Sequence, residues 1–328
     1  MNQIKSDQLS AKVRSDYANI TGLVVLKQGR TVYEQYFNAC TAQSRIHLFS
    51  VTKSVLSILI GIALDQGYLS SLDQRVVSFF PDYPLRPRER TLPLITIRDL
   101  LTMTAPYRYR SAPYLKYFTS HDWVQFAFDQ LGGHGTIGEF RYTPLIGPDL
   151  LSGILSQVTG QSVLAFANEH LFTPLQITVE KNITFANKEE QMAFYRATTI
   201  SGWVADPQGI NTAGWGLTLS TLDLAKLGQL YLSDGRWENR QLVSAAWVRT
   251  STAQHSCWEA MDLPYGYLWW VGKAPKDSFA AIGDGGNVLY VNRKTGIVVA
   301  MTALFKPRIT DRLTFIEQEL EPLLADVE

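Results

Sequence analysis

The sequence predicts an α+β fold in which an antiparallel sheet, built from both chain ends and flanked by helices, carries an inserted and mainly helical domain. Strand-like runs occur near the amino end and return near the carboxyl end. Segments with helical periodicity, punctuated by Pro and Gly, occupy the stretch between them. The expected sheet domain therefore comprises residues 1–70 and 265–328, and the expected helical domain comprises residues 71–264.

The amino-terminal segment predicts a helix followed by a hairpin. Apolar residues recur every four positions over residues 6–18, which is a helical spacing. The run over residues 22–37 is rich in β-branched and aromatic residues, and the corner at Gln28-Gly29 indicates a hairpin. Residues 49–67 are apolar almost all round, which is typical of a helix buried inside a domain, and Gly67 is a suitable helix stop.

The rest of the chain supplies the inserted domain and the remaining strands. Helical patterns occur in TIRDLLTM, DWVQFAFDQL, DLLSGILSQV and TLDLAKLGQLYL. Strand-like runs follow in GYLWWVG, FAAIG, NVLYVN and GIVVAMTALF, and an amphipathic helix is expected around residues 310–324. A cleft between the sheet and the helical domain is the expected place for a small-molecule site.

Composition narrows the classes of partner. The 328 residues include 46% hydrophobic and 18% charged side chains, with 30 basic and 30 acidic residues, so no charge excess points to nucleic acid. Cys40 and Cys257 are far apart and lack metal-ligand spacing, so we expect two free, partly buried thiols and no metal site. The opening MNQIKSDQLS does not resemble a secretion signal, and we expect a cytoplasmic protein without a membrane partner.

The residues that indicate chemistry are Ser50 and Lys53. They open the buried helix, where three-residue spacing stacks the hydroxyl and the ammonium on one face. A serine becomes a nucleophile when a neighbour takes its proton, and a lysine in a dry site can do so. Ser-x-x-Lys is expected about once by chance in such a chain, where it would be a capping serine and a snorkelling lysine. Its position at the most apolar helix favours a catalytic pair.

A family resemblance rests on three segments. HLFSVTKSVLSILIGIALDQGYLSSLDQRVVSFFP, followed by ITIRDLLTMTAP, resembles the opening signature of the class C β-lactamase and penicillin-binding-protein-like serine hydrolases. FRYTPLIGPDLLSGILSQVTG resembles the second-motif segment, and GWGLTLSTLDLAKLGQLYLSDGRW continues the match. The resemblance covers nearly the whole chain and implies a β-lactamase-like fold.

The same resemblance gives a third catalytic residue. The family's second motif is Tyr-x-Asn, and the match places Tyr142 at the tyrosine. It implies that Tyr142, with its pKa lowered by Lys53, takes the proton from Ser50 and later passes it to the leaving group. The family's asparagine falls on Pro144, whose side chain has no amide to hold a substrate carbonyl or the lysine.

The third motif of the family is a cation followed by Thr and Gly on an edge strand. Residues 294–296 spell Lys-Thr-Gly, but they lie between two strand-like runs and predict a hairpin turn. The better register places residues 281–283, Ala-Ile-Gly, at the motif. That match implies an oxyanion hole made by the backbone N–H groups of Ser50 and Asp284, and a neighbouring register that uses Gly286 stays open.

The substrate class follows from these departures. The cation that β-lactamases direct at a substrate carboxylate is missing at Ala281, so penicillin-like acids should bind poorly. The sequence AIGDGGN resembles the corresponding strand of 6-aminohexanoate-dimer hydrolases and related carboxylesterases. That subgroup implies a cofactor-free amidase or esterase that forms an acyl-Ser50 intermediate on a small amide or ester.

Other candidate residues carry weaker signals. Trp215, in a Gly-Trp-Gly sequence, is the best candidate for a pocket wall, and Tyr107 and Gly283 are further candidates for substrate binding. For the aromatic residues, core packing is the competing explanation. Residues 133–138 spell the dinucleotide fingerprint but follow a helical pattern, so they predict a loop.

Two rival functions remain open from sequence alone. One is a binding or regulatory pseudoenzyme that keeps the fold, since the second and third motifs are altered at Pro144 and Ala281. The other is a D-amino-acid peptidase or penicillin-binding enzyme, which would require a cationic third motif. The natural substrate, the preference for amides or esters and the oligomeric state are not fixed by the sequence.

Overall fold

The computed structural model describes residues 3–84 and 89–325. Its strands are β1 (Ile20–Lys27), β2 (Arg30–Tyr36), β3 (Ile46–His47), β4 (Asn182–Ile183), β5 (Trp203–Val204), β6 (Thr218–Leu219), β7 (Arg236–Trp237), β8 (Arg240–Gln241), β9 (Ser256–Trp258), β10 (Leu263–Tyr265), β11 (Trp270–Val271), β12 (Ser278–Gly283), β13 (Asn287–Asn292) and β14 (Ile297–Ala303). Eight of them form one antiparallel sheet in the order β2-β1-β14-β13-β12-β11-β10-β9. The predicted sheet from both chain ends is therefore confirmed.

Strands from the two ends of the chain lie side by side near one edge of this sheet. Strand β1 pairs with β14 in a register that sets Leu23 opposite Met301 and Val25 opposite Val299. Nearly every residue of both strands is buried, because helices cover both faces, and this explains their unbroken apolar runs. The turn that joins β13 to β14 contains residues 293–296, so the Lys-Thr-Gly triplet lies in a hairpin turn as predicted.

The helices are α1 (Gln3–Asp16), α2 (Val51–Asp65), α3 (Ile97–Leu101), α4 (Tyr114–Phe118), α5 (Trp123–Gln130), α6 (Ile146–Thr159), α7 (Val163–Ala167), α8 (Lys188–Phe194), α9 (Thr221–Leu232), α10 (Ala245–Ser251), α11 (Arg312–Phe315) and α12 (Glu321–Leu323). Helix α7 continues as a π-helical turn at Asn168–Phe172, and another at Ile316–Leu320 joins α11 to α12. Within the described ranges no single helix is both long and apolar enough to cross a membrane; α6 and residues 163–172 meet that test only together, and they are bent by 76°.

Helix α2 is the central element that the sequence predicts. Every residue from Val51 to Ala63 is buried, since the helix packs against β12 on one side and α6 on the other. Its last turn leads into Gly67, which has a φ of +78°. Glycine favours this left-handed conformation because it has no β-carbon to clash with the backbone. The first turn of α2 is thereby held between the sheet and the helical segments.

The division into two domains stays a prediction. Strands β9 and β10 extend the sheet back to residue 256, upstream of the expected boundary at residue 265. The outermost residues of the expected sheet domain, 1–2 and 326–328, lie outside the described part of the chain.

Candidate active site

Ser50 stands at the amino end of α2, and its hydroxyl is not used to cap the helix. It occupies the capping position, yet its side chain makes no capping hydrogen bond to the helix. Phe49 before it has a φ of +50°, a backbone conformation that costs a β-carbon residue free energy and is kept only where the surroundings impose it. The Phe49 ring packs between His47 and Phe305, at centroid distances of 4.0 and 5.5 Å. This packing fixes the entry of the chain into α2.

Lys53 is the buried partner of Ser50. Its side chain is almost fully enclosed, with 1% of the residue exposed. Its Nζ donates hydrogen bonds to Ser50 Oγ and to the carbonyl oxygen of Gly214, both at 2.8 Å. Burial lowers the pKa of Lys53 to about 7, against the opposing effect of the charges on Asp284 and Asp149. A neutral amine is therefore accessible near neutral pH, next to the hydroxyl whose proton it would take.

Tyr142 is the third residue of the group. It is half-buried and lies within hydrogen-bonding reach of the Ser50 side chain. The Lys53 ammonium faces its ring, 5.2 Å from the centroid. The structure thus brings together the three predicted catalytic side chains, which enter from α2 and from the segment before α6.

One expectation about Tyr142 is wrong. The family resemblance implies a pKa lowered by Lys53, but burial raises the pKa of Tyr142 to about 12. Removing the phenolate from water costs more free energy than its hydrogen bond with Ser50 provides. The negative charge of Asp284 raises the pKa further. Tyr142 therefore carries its proton at neutral pH, and Lys53 is the better base of the pair.

The end of strand β12 lies against the backbone of Ser50. A β-carbon at Gly283 would stand 2.2 Å from the Leu48 carbonyl oxygen and 3.2 Å from the Ser50 nitrogen, so only glycine fits. A β-carbon at Gly286 would instead meet the Arg312 guanidinium at 2.7 Å. The 283–284 segment is thus the one beside the Ser50 amide.

The altered second motif has a structural counterpart that sequence reasoning missed. Lys53 finds its second hydrogen-bond acceptor in the backbone carbonyl of Gly214, and no side-chain amide is needed for it. The Gly214 segment packs on the chain next to Pro144, since a β-carbon there would come within 2.4 Å of the Pro144 carbonyl oxygen. The Gly-Trp-Gly sequence is the signal for this contact, because its first glycine is Gly214.

A cavity of about 660 Å³ opens from Ser50 along β12. Aromatic side chains form part of its wall, and these rings also contact one another: Tyr142 lies 5.6 Å from Trp270, and Trp270 lies 6.2 Å from Trp258. Trp258 is 39% exposed, which leaves apolar surface available to a ligand. Charged side chains also line the cavity, namely Asp284, Lys306, Arg308 and Glu317.

Among the described residues that line this cavity, two of the predicted substrate-binding residues are missing. Trp215 is 3% exposed and packs edge-on against Phe118 and Tyr195, at 5.8 Å in each case. Tyr107 is also buried, and its ring packs against Tyr109 at 5.5 Å. Both aromatic residues therefore belong to the packed core, whereas Gly283 does line the cavity.

Comparisons with known proteins agree with this architecture. A model of the beta-lactamase family matches residues 11–314. The chain is 22% identical over 303 residues to the 6-aminohexanoate-dimer hydrolase of Paenarthrobacter ureafaciens, covering 85% of this chain and 71% of that protein.

Solved structures share the fold. The octameric penicillin-binding protein homologue from Pyrococcus abyssi superposes with a TM-score of 0.71 at 21% identity, over 97% of this chain and 77% of that one. A family VIII carboxylesterase superposes with a TM-score of 0.69 at 14% identity, over 94% of each chain. The predicted β-lactamase-like fold is confirmed, and the chain belongs to the beta-lactamase family.

Proposed function

We propose that this protein is a serine hydrolase that cleaves small esters or amides through an acyl-Ser50 intermediate. The observation that carries the proposal is the 2.8 Å hydrogen bond between the buried Lys53 amine and Ser50 Oγ at the start of α2. Relatives named as a 6-aminohexanoate-dimer hydrolase and as a family VIII carboxylesterase support the reaction class. The reaction needs no cofactor.

In the acylation step, neutral Lys53 accepts the Ser50 proton as Oγ attacks the substrate carbonyl. Tyr142 then donates its own proton to the departing alcohol or amine as the carbonyl–heteroatom bond breaks. The ammonium on Lys53, which faces the Tyr142 ring, stabilises the phenolate that forms and returns the proton to it. The step converts the Ser50 hydroxyl and an ester or amide into acyl-Ser50 and a free alcohol or amine.

In the deacylation step, water attacks the acyl carbon and gives one proton to neutral Lys53. Lys53 then returns a proton to Ser50 Oγ as the acyl group leaves. Negative charge on the carbonyl oxygen in both steps would be held by the backbone N–H groups of Ser50 and Asp284. The support for this oxyanion hole is the close approach of Gly283 to the Ser50 nitrogen and the dipole of α2.

The cavity favours a substrate with an apolar substituent. Trp258 and Trp270 offer apolar surface for an acyl or alcohol group, and Ala281 replaces the cation of the third motif. The Asp284 carboxylate borders Ser50 and would repel a carboxylate held next to the scissile carbonyl. We therefore propose that penicillin-like acids acylate Ser50 slowly.

A panel of chromogenic esters tests the proposal. Wild type should turn over p-nitrophenyl acetate, butyrate and hexanoate faster than nitrocefin, and Ser50→Ala should be inactive on all of them. p-Nitroanilides of the same acids measure the preference for esters or amides. If wild type, like Ser50→Ala, gives no rate above the uncatalysed background on any ester, the pseudoenzyme hypothesis replaces this proposal. Rapid acylation by penicillin, read as a mass shift, would favour the penicillin-binding alternative.

A further inference from the structure

A buried carboxylate lies behind the lysine of the site. Asp149, in the first turn of α6, is 2% exposed. Its Oδ1 accepts a hydrogen bond from the Ala213 backbone N–H at 2.8 Å, and its Oδ2 accepts one from the Tyr117 hydroxyl. The backbone N–H of Gly214 is a third donor. Three donors from two separate segments therefore converge on one carboxylate that the mechanism above does not use.

The Gly214 residue links this carboxylate to the lysine. Its N–H points at Asp149, and its carbonyl accepts the hydrogen bond from Lys53 Nζ. The absence of a side chain allows this, because a β-carbon at Gly214 would stand 2.4 Å from the Pro144 carbonyl oxygen. The position of the Lys53 acceptor thus depends on what Asp149 holds.

The charge of Asp149 also acts on Lys53. A negative carboxylate favours the protonated form of the amine, and burial raises the pKa of Asp149 itself to about 7. In the described part of the chain, the other titratable groups that face Asp149 are Tyr117 and Asp206. Those that face Lys53 are Tyr142 and Asp284. The Asp149 charge is therefore one of two negative charges that hold a proton on the amine.

We propose that Asp149 is the positioning residue of the Ser50–Lys53 pair: it fixes the Gly214 carbonyl that orients the Lys53 amine, and its negative charge favours the protonated form of that amine. This inference rests on the proposed hydrolase function. A purely structural role, such as tying α6 to the 213–214 segment, predicts lower stability or activity with an unchanged pH profile.

The test is the pH dependence of ester hydrolysis by Asp149→Asn. The amide keeps an oxygen for the Ala213 N–H and can donate to the Tyr117 hydroxyl, but it removes the charge. Lys53 then loses its proton at lower pH, so the acid-limb midpoint of kcat/KM should fall by about 0.5 to 1 pH unit. The plateau kcat should drop about tenfold with KM within about twofold of wild type, because orientation and not binding is impaired.

Asp223→Asn is the matched control. Asp223 is another buried carboxylate, which caps α9 and pairs with Arg45 away from Ser50. Its variant should lose stability and keep the wild-type midpoint. If Asp149→Asn fails to fold, Tyr117→Phe replaces it: losing the donor makes the Asp149 charge less favourable, so the midpoint should fall by a smaller amount.

The outcomes separate the two proposals. An inactive wild type contradicts the proposed function. An active wild type whose Asp149→Asn variant, or Tyr117→Phe in its place, keeps the wild-type midpoint overturns this inference and leaves the hydrolase function standing. The pH dependence of Ser50 labelling by a fluorophosphonate, read by intact mass, gives the same midpoint without turnover.

Discussion

The two sides of the candidate site differ in how they are built. On the α2 side, Ser50 and Lys53 are three residues apart, and helical geometry alone brings them together. On the opposite side, which we call the α6 side, Tyr142, Asp149 and Gly214 come from separate segments and meet through tertiary packing. In the proposed mechanism the first side supplies the nucleophile and its base, and the second supplies the proton donor and the groups that orient Lys53. Variants on the α2 side should therefore have the larger effects.

The largest effect is expected from Ser50→Ala. Removal of Oγ eliminates the acyl acceptor, so turnover of p-nitrophenyl butyrate should fall by at least about 10⁴-fold. The measurement is kcat/KM at pH 8, with circular dichroism to verify the fold. Residual activity within about tenfold of wild type would show that another group is the nucleophile.

Lys53→Ala should cost slightly less, about 10³-fold in kcat/KM, since the nucleophile remains and only its base is lost. Lys53→Met keeps most of the buried apolar volume and separates the loss of the amine from a cavity effect. Both variants should be equally slow. Recovery of activity in Lys53→Met would show that Lys53 acts through packing.

Tyr142→Phe tests the α6 side of the proposed mechanism. The ring remains to pack against Trp270, but the proton donor to the leaving group is gone, so kcat should fall about 10²-fold. The loss should shrink for an ester of p-nitrophenol relative to one of methanol, because p-nitrophenolate leaves without protonation. An equal loss on both esters would contradict a general-acid role.

The pH profile of wild type should rise through neutral pH. Because the pKa of Lys53 is lowered to about 7, the amine is protonated and inactive as a base below that value and neutral above it. Activity should therefore drop about tenfold for each pH unit below 6 and level off above pH 8. A rate that is flat between pH 5.5 and 8 would contradict Lys53 as the base.

The smallest effect is expected at the cavity wall. Trp258 is partly exposed and lines the cavity, so Trp258→Ala should raise KM for a hexanoate ester about three- to tenfold through lost apolar contact. The acetate ester, whose acyl group offers only one methyl for apolar contact, is the internal control. An equal rise for both esters would indicate a general disturbance of the fold.

The sequence predicted the α2 side well because its signals are local. Helical spacing, an apolar setting and a family-like motif all converge on Ser50 and Lys53, and the pattern of strands at both ends predicted the sheet. The substrate-binding prediction for Trp215 did not match the cavity lining, because an aromatic residue beside a site and one beneath it look alike in sequence.

The α6 side was harder to predict for a physical reason. Its hydrogen bonds are made by the backbone of Ala213 and Gly214, which every residue type offers, and by an aspartate in an otherwise apolar helix. The pKa of Tyr142 depends on its burial, which a motif does not encode, and so its predicted direction was wrong. Only the folded arrangement shows which carbonyl takes the place of the missing asparagine side chain.

The most direct test of the central claim is covalent labelling of Ser50. Wild type and Lys53→Met would be treated with a fluorophosphonate at pH 6 and pH 8, and the adduct measured by intact mass and located by peptide mapping. We predict a single adduct on Ser50, formed about tenfold faster at pH 8 than at pH 6 in wild type and far more slowly in Lys53→Met. No adduct on wild type, or equal rates in the two proteins, would contradict activation of Ser50 by Lys53.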